Sequence, residues 1–206
     1  MTTPSIATHL EPVAPLDQRL TIPMQSLMTH VLRKANDASS LQIMVVGAAR
    51  GVGSSFVTRQ LAAELGMAFS SVLVVEVTDH QAPPALAASP APAAQGQVAM
   101  RMSMSHPACL ELFGAGGESQ RMKEFQQWLE RFSLVLWDVP PPTVTPVALV
   151  MTKQVPDFIL VAQSERTRRQ VAQHVGGQIE HSGGRLMGVV LNRSVNHIPD
   201  WAYRLL

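Results

Sequence analysis

The chain has 206 residues, of which 46% are hydrophobic and 15% charged. This is enough for one α/β domain with a real core, and it excludes a disordered protein. The net charge of +1 gives no electrostatic basis for binding nucleic acid, and a single cysteine excludes an internal disulfide and a multi-cysteine metal site. No run of about 18 apolar residues occurs and the N-terminus does not resemble a signal peptide, so we expect a cytoplasmic protein.

The N-terminal third is predicted to contain an arm, two helices and two strands. Residues 1–22 contain several prolines and show no periodicity, which predicts a flexible arm. Apolar residues at helical spacing predict a helix over 24–36. The short apolar runs at 43–46 and 71–77 are typical of buried parallel strands, with a helix over 56–65 between them.

The remaining chain alternates helices and strands after one long connection. Residues 80–107 are rich in proline and alanine and are predicted to be a long loop, which at that length is functional or disordered. The later elements predicted are a helix at 118–131, a strand at 132–137, a helix at 145–153, a strand at 157–162, a helix at 167–181 and a strand at 185–191. Strands that are apolar throughout, alternating with helices, predict one three-layer α/β domain over 23–206. Its parallel sheet is covered by helices on both faces.

A glycine-rich turn, Gly47-Ala-Ala-Arg-Gly-Val-Gly-Ser-Ser55, joins the first apolar strand to its helix. Strand, glycine-rich turn and helix form the context of a phosphate-binding loop, in which backbone N–H groups converge on phosphate oxygens. In the working motif a lysine precedes the Ser/Thr, but Ser54 stands there. Arg50 could supply a cation from a different direction. The alternative is that the glycines only form a tight turn that caps a helix.

Three further polar residues fall at the ends of predicted strands: Glu76, Asp138 and Asn192. Ligands of parallel sheets bind at the carboxyl ends of the strands, so we expect these side chains to share one edge with the glycine-rich turn. The seven histidines are scattered, with none at metal-ligand spacing. Cys109 has no positioned base in the sequence and is predicted to pack in the core rather than act as a nucleophile.

At these residues the chain resembles the bacterial tyrosine kinases. Residues 48–55 are similar to their Walker A loop, residues 132–141 to their Walker B strand with its Asp-x-Pro-Pro step, and residues 157–192 to their closing segment ending in Gly-Val-Val-Leu-Asn. The match covers roughly residues 41–193. The wider group is the MinD/ParA-like deviant P-loop ATPases. The tyrosine-kinase branch provides the cytoplasmic module of polysaccharide co-polymerases, which control capsule and exopolysaccharide assembly and export.

The resemblance implies roles for individual positions. Ser55 and Asp138 would hold Mg²⁺, and Asp138 and Glu76 would be the catalytic carboxylates. Asn192, with Arg193 beside it, would contact the base of ATP or ADP. The loop residues that would bind the nucleotide are Ala49, Arg50, Gly51, Val52, Gly53, Ser54 and Ser55.

The chain also departs from the family pattern at several points. Ser54 replaces the lysine, Arg50 replaces the usual proline, and Glu76 and Thr78 stand where the family has two aspartates. The arginines of the E-x-x-R-x-x-R oligomer motif are absent from the N-terminal helix. The family's tyrosine-rich tail is also missing, since Tyr203 is the chain's single tyrosine.

We therefore expect a degenerate, tyrosine-kinase-like protein with weak or no binding of ATP or ADP with Mg²⁺. It would act as a regulatory or scaffold partner of an inner-membrane chain-length (co-polymerase) protein in capsule or exopolysaccharide biosynthesis. That partner would hold it at the inner membrane, and homo-oligomerisation is compatible with this role. The alternatives are an active MinD/ParA-like ATPase that uses a cation other than the motif lysine, and a scaffold that binds no nucleotide.

Overall fold

The structure is a computed structural model that describes residues 11–12, 21–35, 40–79, 99–114 and 120–193. Its elements in chain order are β1 (Glu11–Pro12), α1 (Thr21–Ala35), β2 (Leu41–Gly47), α2 (Ser54–Leu65), β3 (Val72–Thr78), β4 (Ala99–Ser105), α3 (His106–Gly114), α4 (Gln120–Leu129), β5 (Leu134–Val139), α5 (Val147–Met151), β6 (Asp157–Gln163), α6 (Arg169–His181) and β7 (Arg185–Asn192).

The strands form one sheet in the order β1-β4-β3-β5-β2-β6-β7. Strands β2 to β7 pair in parallel, and β1 pairs with β4 in the antiparallel direction. The predicted α/β fold with a parallel sheet is confirmed. The chain after β2 crosses to β3, and β5 returns to lie between them, so the glycine-rich turn after β2 lies close to the ends of β5 and β3.

Helices cover both faces of this sheet, as predicted. Helices α1 and α2 pack on one face, where their apolar side chains join those of the central strands. Helices α3 to α6 pack on the other face around Trp137, whose ring makes edge contacts with Phe113 and Phe125. Among the described residues no helix is both long enough and apolar enough to cross a membrane.

Two strands lie where the sequence predicted none. Residues 99–105, assigned to the long loop, form β4, and α3 begins at His106 rather than after 107. The expectation was wrong here because β4 is not continuously apolar. Met102 and Met104 are buried while the residues between and beside them are polar or half-buried, so only one face of this strand enters the core.

The other unexpected strand is β1, whose two residues lie within the predicted flexible arm. The division into an arm and a domain at residue 22 stays a prediction. Several other expectations fall on residues outside the described ranges: most of the arm, the loop over 80–98, the end of the first helix at Asn36, the start of the helix at 118, and Tyr203.

Buried Asp157, at the start of β6, ties three elements together. Lys34 of α1 and Arg185 of β7 both form ion pairs with its carboxylate. Because a buried carboxylate without a counter-charge is costly, this pairing fixes the end of α1 against the sheet. It lies at the amino ends of the strands, opposite the edge that carries the glycine-rich turn.

Candidate functional site

The glycine-rich turn has the backbone of a phosphate-binding loop. Gly51 and Gly53 have φ angles of +74° and +87°, which L side chains adopt only with strain. A Cβ on Gly47 would lie 3.0 Å from both the Ala49 carbonyl oxygen and a Val52 methyl carbon. The glycines are therefore required by the curvature of the loop, and helix α2 begins directly after it at Ser54.

The end of β7 closes against this loop. The Asn192 side-chain amide donates a hydrogen bond to the Val52 carbonyl oxygen at 2.9 Å. A Cβ on Gly53 would lie 2.2 Å from the same amide nitrogen. Arg193, with φ +55°, donates its N–H to the Asn192 side-chain oxygen. Asn192 therefore supports the loop, and its predicted contact with a nucleotide base stays a prediction.

Asp138 is the carboxylate nearest the loop. It lies inside β5 and is 7% exposed. The hydroxyls of Ser55 and Ser54 lie beside it and favour its ionised form. Burial raises the pKa of Asp138 from 3.8 to about 6; the Ser55 hydroxyl opposes this rise and the nearby Glu76 charge adds to it. In place of the motif lysine, Ser54 thus brings a neutral hydroxyl to the carboxylate.

Glu76 is the neighbour of Asp138 across the sheet, because the two residues pair in register between β3 and β5. Arg59 of α2 approaches the Glu76 carboxylate oxygen at 3.6 Å, and Arg101 of β4 approaches the same oxygen at 3.8 Å. The predicted grouping of Glu76, Asp138 and the loop at one sheet edge is therefore what the structure shows.

The oxygen atoms beside the loop are of the type that binds a divalent cation. Ser55 and Asp138 supply the hydroxyl and carboxylate oxygens that Mg²⁺ prefers, and they lie close together. Glu76, the second acid, already faces two guanidinium groups. Ser55 and Asp138 are thus the residues that would hold a metal ion bound with nucleotide phosphates.

Arg50 lies at the rim of the loop and is engaged elsewhere. It donates a hydrogen bond to Asp79 at 2.9 Å, in a pair whose two side chains are both largely exposed. His106, at the start of α3, contacts the other Asp79 oxygen at 2.9 Å. The His106 side chain is mostly buried and belongs to this rim.

Sequence reasoning missed four residues of this edge: Arg59, Arg101, Asp79 and His106. Arg59 was detectable, because it lies four positions after Ser55 and therefore shares its helix face. Asp79 directly follows the predicted strand end. Arg101 and His106 were hidden, since the strand that carries them was assigned to a loop.

Cys109 lies on the core-facing side of α3 and is fully buried, as predicted. Burial raises the pKa of its thiol to about 12, so little reactive thiolate forms near neutral pH. Within the described part of the chain no three His, Cys, Asp or Glu side chains form a group that could hold a metal ion.

Solved structures share this fold at low sequence identity. The chimerical protein CapA2B2 matches with a TM-score of 0.67 and 17% identity over 84% of each chain. The VpsO kinase domain matches with a TM-score of 0.64 and 20% identity, over 86% of this chain and 97% of that chain. The kinase domain of the Escherichia coli tyrosine kinase ETK matches with a TM-score of 0.64 and 18% identity, over 85% of this chain and 78% of that chain.

These likenesses show the fold: the chain folds as bacterial tyrosine kinase domains do, which confirms the predicted P-loop architecture. Comparison of the sequence with family profiles and with curated proteins finds no match.

Proposed function

We propose that this chain is a catalytically impaired relative of the bacterial tyrosine kinase module that acts as a regulatory or scaffold partner in capsule or exopolysaccharide biosynthesis and export. Its partner would be an inner-membrane chain-length protein, which would also bring it to the membrane. The observation that carries this proposal is that the phosphate loop keeps its shape while the lysine position holds Ser54, whose neutral hydroxyl lies beside Asp138.

The loss of the lysine affects both binding and turnover. The lysine contacts the β- and γ-phosphates and offsets charge that develops in the transition state. A charge-assisted hydrogen bond contributes about 1.5–3 kcal/mol, so its loss weakens nucleotide binding by roughly ten- to a hundred-fold. The loss of turnover is larger because the missing charge acts most strongly in the transition state.

The rest of the site supports the same proposal. Glu76 and Thr78 stand where the family has aspartates, and Glu76 is paired with Arg59 and Arg101. The alternative of an active ATPase needs another cation at the phosphates. Arg50 was the candidate for it, but its guanidinium is hydrogen-bonded to Asp79 at the exposed rim.

The first test measures ATP turnover and equilibrium binding of ATP with Mg²⁺ by calorimetry, in the wild type and in Ser54→Lys. We expect negligible turnover in the wild type and at least about tenfold tighter binding in Ser54→Lys, because the substitution restores the phosphate contact. Ser54→Met is the matched control, since it adds length without charge. Wild-type turnover at rates ordinary for tyrosine kinase domains would contradict the proposal.

The second test concerns the partner. The chain is expected to co-purify with the inner-membrane chain-length protein from solubilised membranes, and its deletion is expected to change the amount or length of surface polysaccharide. Both results should persist in Asp138→Asn, because the proposed role does not need catalysis. Polysaccharide that is unchanged by deletion would contradict the proposed pathway.

A further inference from the structure

A groove with an apolar floor runs between α6 and the edge strand β7. Its volume is about 420 Å³, and the exposed strand side chains Leu186, Val189 and Leu191 line it. The α6 residues that line it recur every three or four positions and so share one helix face: Arg169, Ala172, Gln173, Gly176, Gly177 and Glu180. A Cβ on Gly177 would meet no described atom within 4 Å, so there is room for a ligand beside the helix.

One end of this groove is basic. The turn from β6 into α6 carries Arg166, Arg168 and Arg169, all three exposed, and Arg169 also lines the groove. With Glu165 as the acid of this stretch, three arginines and one glutamate give residues 165–169 a net charge of +2, whereas the whole chain has +1.

This basic turn lies beside the carboxyl end of β7. The Ser164 N–H donates a hydrogen bond to the Asn192 carbonyl oxygen at 2.9 Å, and Ala162 pairs in register with Leu191. The positive charge is therefore concentrated at the end of the groove where its most exposed apolar side chain, Leu191, also lies.

The combination favours a ligand that has an apolar chain and an anionic group at one end. Arginine binds phosphate well because its planar guanidinium donates two parallel hydrogen bonds, and exposed apolar side chains gain free energy when a chain covers them. A nucleic acid would match the arginines but not the apolar floor. A neutral apolar ligand would match the floor and leave the arginines without a counter-charge. An anionic phospholipid matches both.

We propose that the groove docks the chain on an anionic membrane, with the head-group phosphate of a phospholipid against Arg168 and Arg169 and its acyl chain against Leu191. This goes beyond the proposed function, because the contact needs neither nucleotide nor a protein partner. Stable attachment to a membrane takes two signals, since a single one binds only marginally. The groove supplies one signal and the proposed co-polymerase partner the other.

The first test measures cosedimentation of the full chain with phosphatidylcholine vesicles that contain or lack phosphatidylglycerol. The wild type is expected to bind only the vesicles with phosphatidylglycerol, and to bind less at high salt because salt screens the attraction. Arg168→Gln combined with Arg169→Gln should weaken binding at least about tenfold, since each arginine near an anionic surface contributes about fivefold. The matched control is Lys123→Gln combined with Arg131→Gln, which removes two exposed charges in and beside α4 and should bind nearly as the wild type does.

The second test separates the groove from a purely electrostatic surface. Leu191→Ser removes an apolar side chain and leaves every arginine in place, so we expect several-fold weaker binding to the same vesicles. Met67→Ser is the matched control, because Met67 is exposed after α2 and lies outside the groove, and it should bind as the wild type does. Both replaced side chains are largely exposed, so both variants are expected to fold.

A wild type that binds neither kind of vesicle would overturn the proposal. Equal losses in the arginine variant and its control would also overturn it, because they would indicate attraction by net charge alone. Full binding by Leu191→Ser would leave the groove without a role. A dimer in vesicle-free solution that Leu191→Ser dissociates would show that a second copy occupies the groove instead. None of these results bears on the proposed role in polysaccharide export, in which the protein partner brings the chain to the membrane.

Discussion

The loop edge of the sheet and the α6–β7 side of the molecule are built in opposite ways. At the loop edge, polar groups are gathered in one place: serine hydroxyls lie beside Asp138, and arginines face Glu76. On the α6–β7 side, Leu186, Val189 and Leu191 of the edge strand are 39%, 51% and 62% exposed.

The second region is a groove because α6 covers β6 and leaves β7 outside it. Its volume is about 420 Å³ and side chains from β6, α6 and β7 line it. Gly176 and Gly177 keep the helix surface low where it faces the strands. The comparison teaches that the site with altered chemistry keeps its groups close together, whereas packing is incomplete along the edge strand β7, although its sequence matches the family's closing motif. The close arrangement of the loop edge therefore serves the stability of the fold as well as any catalysis.

The largest expected effect compares two leucines on this α6-facing surface. Leu160 of β6 is 2% exposed and Leu191 of β7 is 62% exposed. Leu160→Ala leaves a cavity in the core and should lower the free energy of unfolding by about 3 kcal/mol. Leu191→Ala should lower it by about 0.5 kcal/mol, since most of its surface already meets water. Urea unfolding measures both, and equal losses would show that the groove is closed in solution.

The next prediction concerns the pH dependence at the loop edge. The folded-state pKa of Asp138, about 6, lies above its ordinary value of 3.8, so the folded state binds this proton more tightly. The carboxyl therefore contributes most stability below about pH 4, and the contribution is lost as the pH rises to about 6. Its full size is about 3 kcal/mol.

Asp138→Asn isolates this effect, because its amide oxygen can still accept from the serine hydroxyls but does not ionise. The unfolding free energy of the variant minus that of the wild type should rise by about 3 kcal/mol between pH 4 and pH 7. Urea titrations at several pH values give the difference. A difference that stays constant would show that Asp138 is solvated and that the loop edge is more open than the structure has it.

A smaller effect is expected at the contact between the loop and β7. Gly53→Ala should cost about 2–3 kcal/mol, because the new Cβ meets the Asn192 amide and the φ angle is strained. Gly51→Ala should cost only about 1 kcal/mol, since its φ is also positive but nothing lies within 4 Å of a Cβ there.

Asn192→Ala separates the two causes of the Gly53→Ala cost, which are strain in the loop backbone and contact with the Asn192 amide. In that background the two glycine substitutions should cost the same, because the amide that Gly53 accommodates is gone. If Gly53→Ala remains the costlier of the two, the difference comes from the loop backbone and not from β7.

The parts of this molecule that the sequence predicted are those that local pattern controls. Continuous apolar runs identified β2, β3, β5 and β6, because strands buried on both faces carry few polar residues. The apolar run of β7 also identified a strand, but this strand lies exposed at the sheet edge. Strand β4 escaped this criterion since its methionines alternate with polar residues. Strand β1 is too short for any periodicity to be visible.

The sequence predicted which residues lie at the site but not which side chains contact one another there. Asp138 and Glu76 could be placed at one edge because parallel strands end together. The contact of Asn192 with the loop joins residues 140 positions apart, and no local pattern reports it. The position of Arg59 near Ser55 could be predicted, because the two residues share one face of α2. Its ion pair with Glu76 could not, because it depends on how α2 crosses β3.

The smallest expected effect is at Arg50, the cation that the sequence offered in place of the lysine. Its pair with Asp79 is exposed on both sides, and such pairs contribute about 0–1 kcal/mol. Arg50→Ala should therefore change the free energy of unfolding by less than about 0.5 kcal/mol and leave ADP affinity nearly unchanged. Calorimetry on Arg50→Ala and on Arg59→Gln shows which arginine contributes to ADP binding. A large loss of ADP affinity in Arg50→Ala alone would assign that role to the rim. A loss in Arg59→Gln alone would assign it to the arginine that faces Glu76.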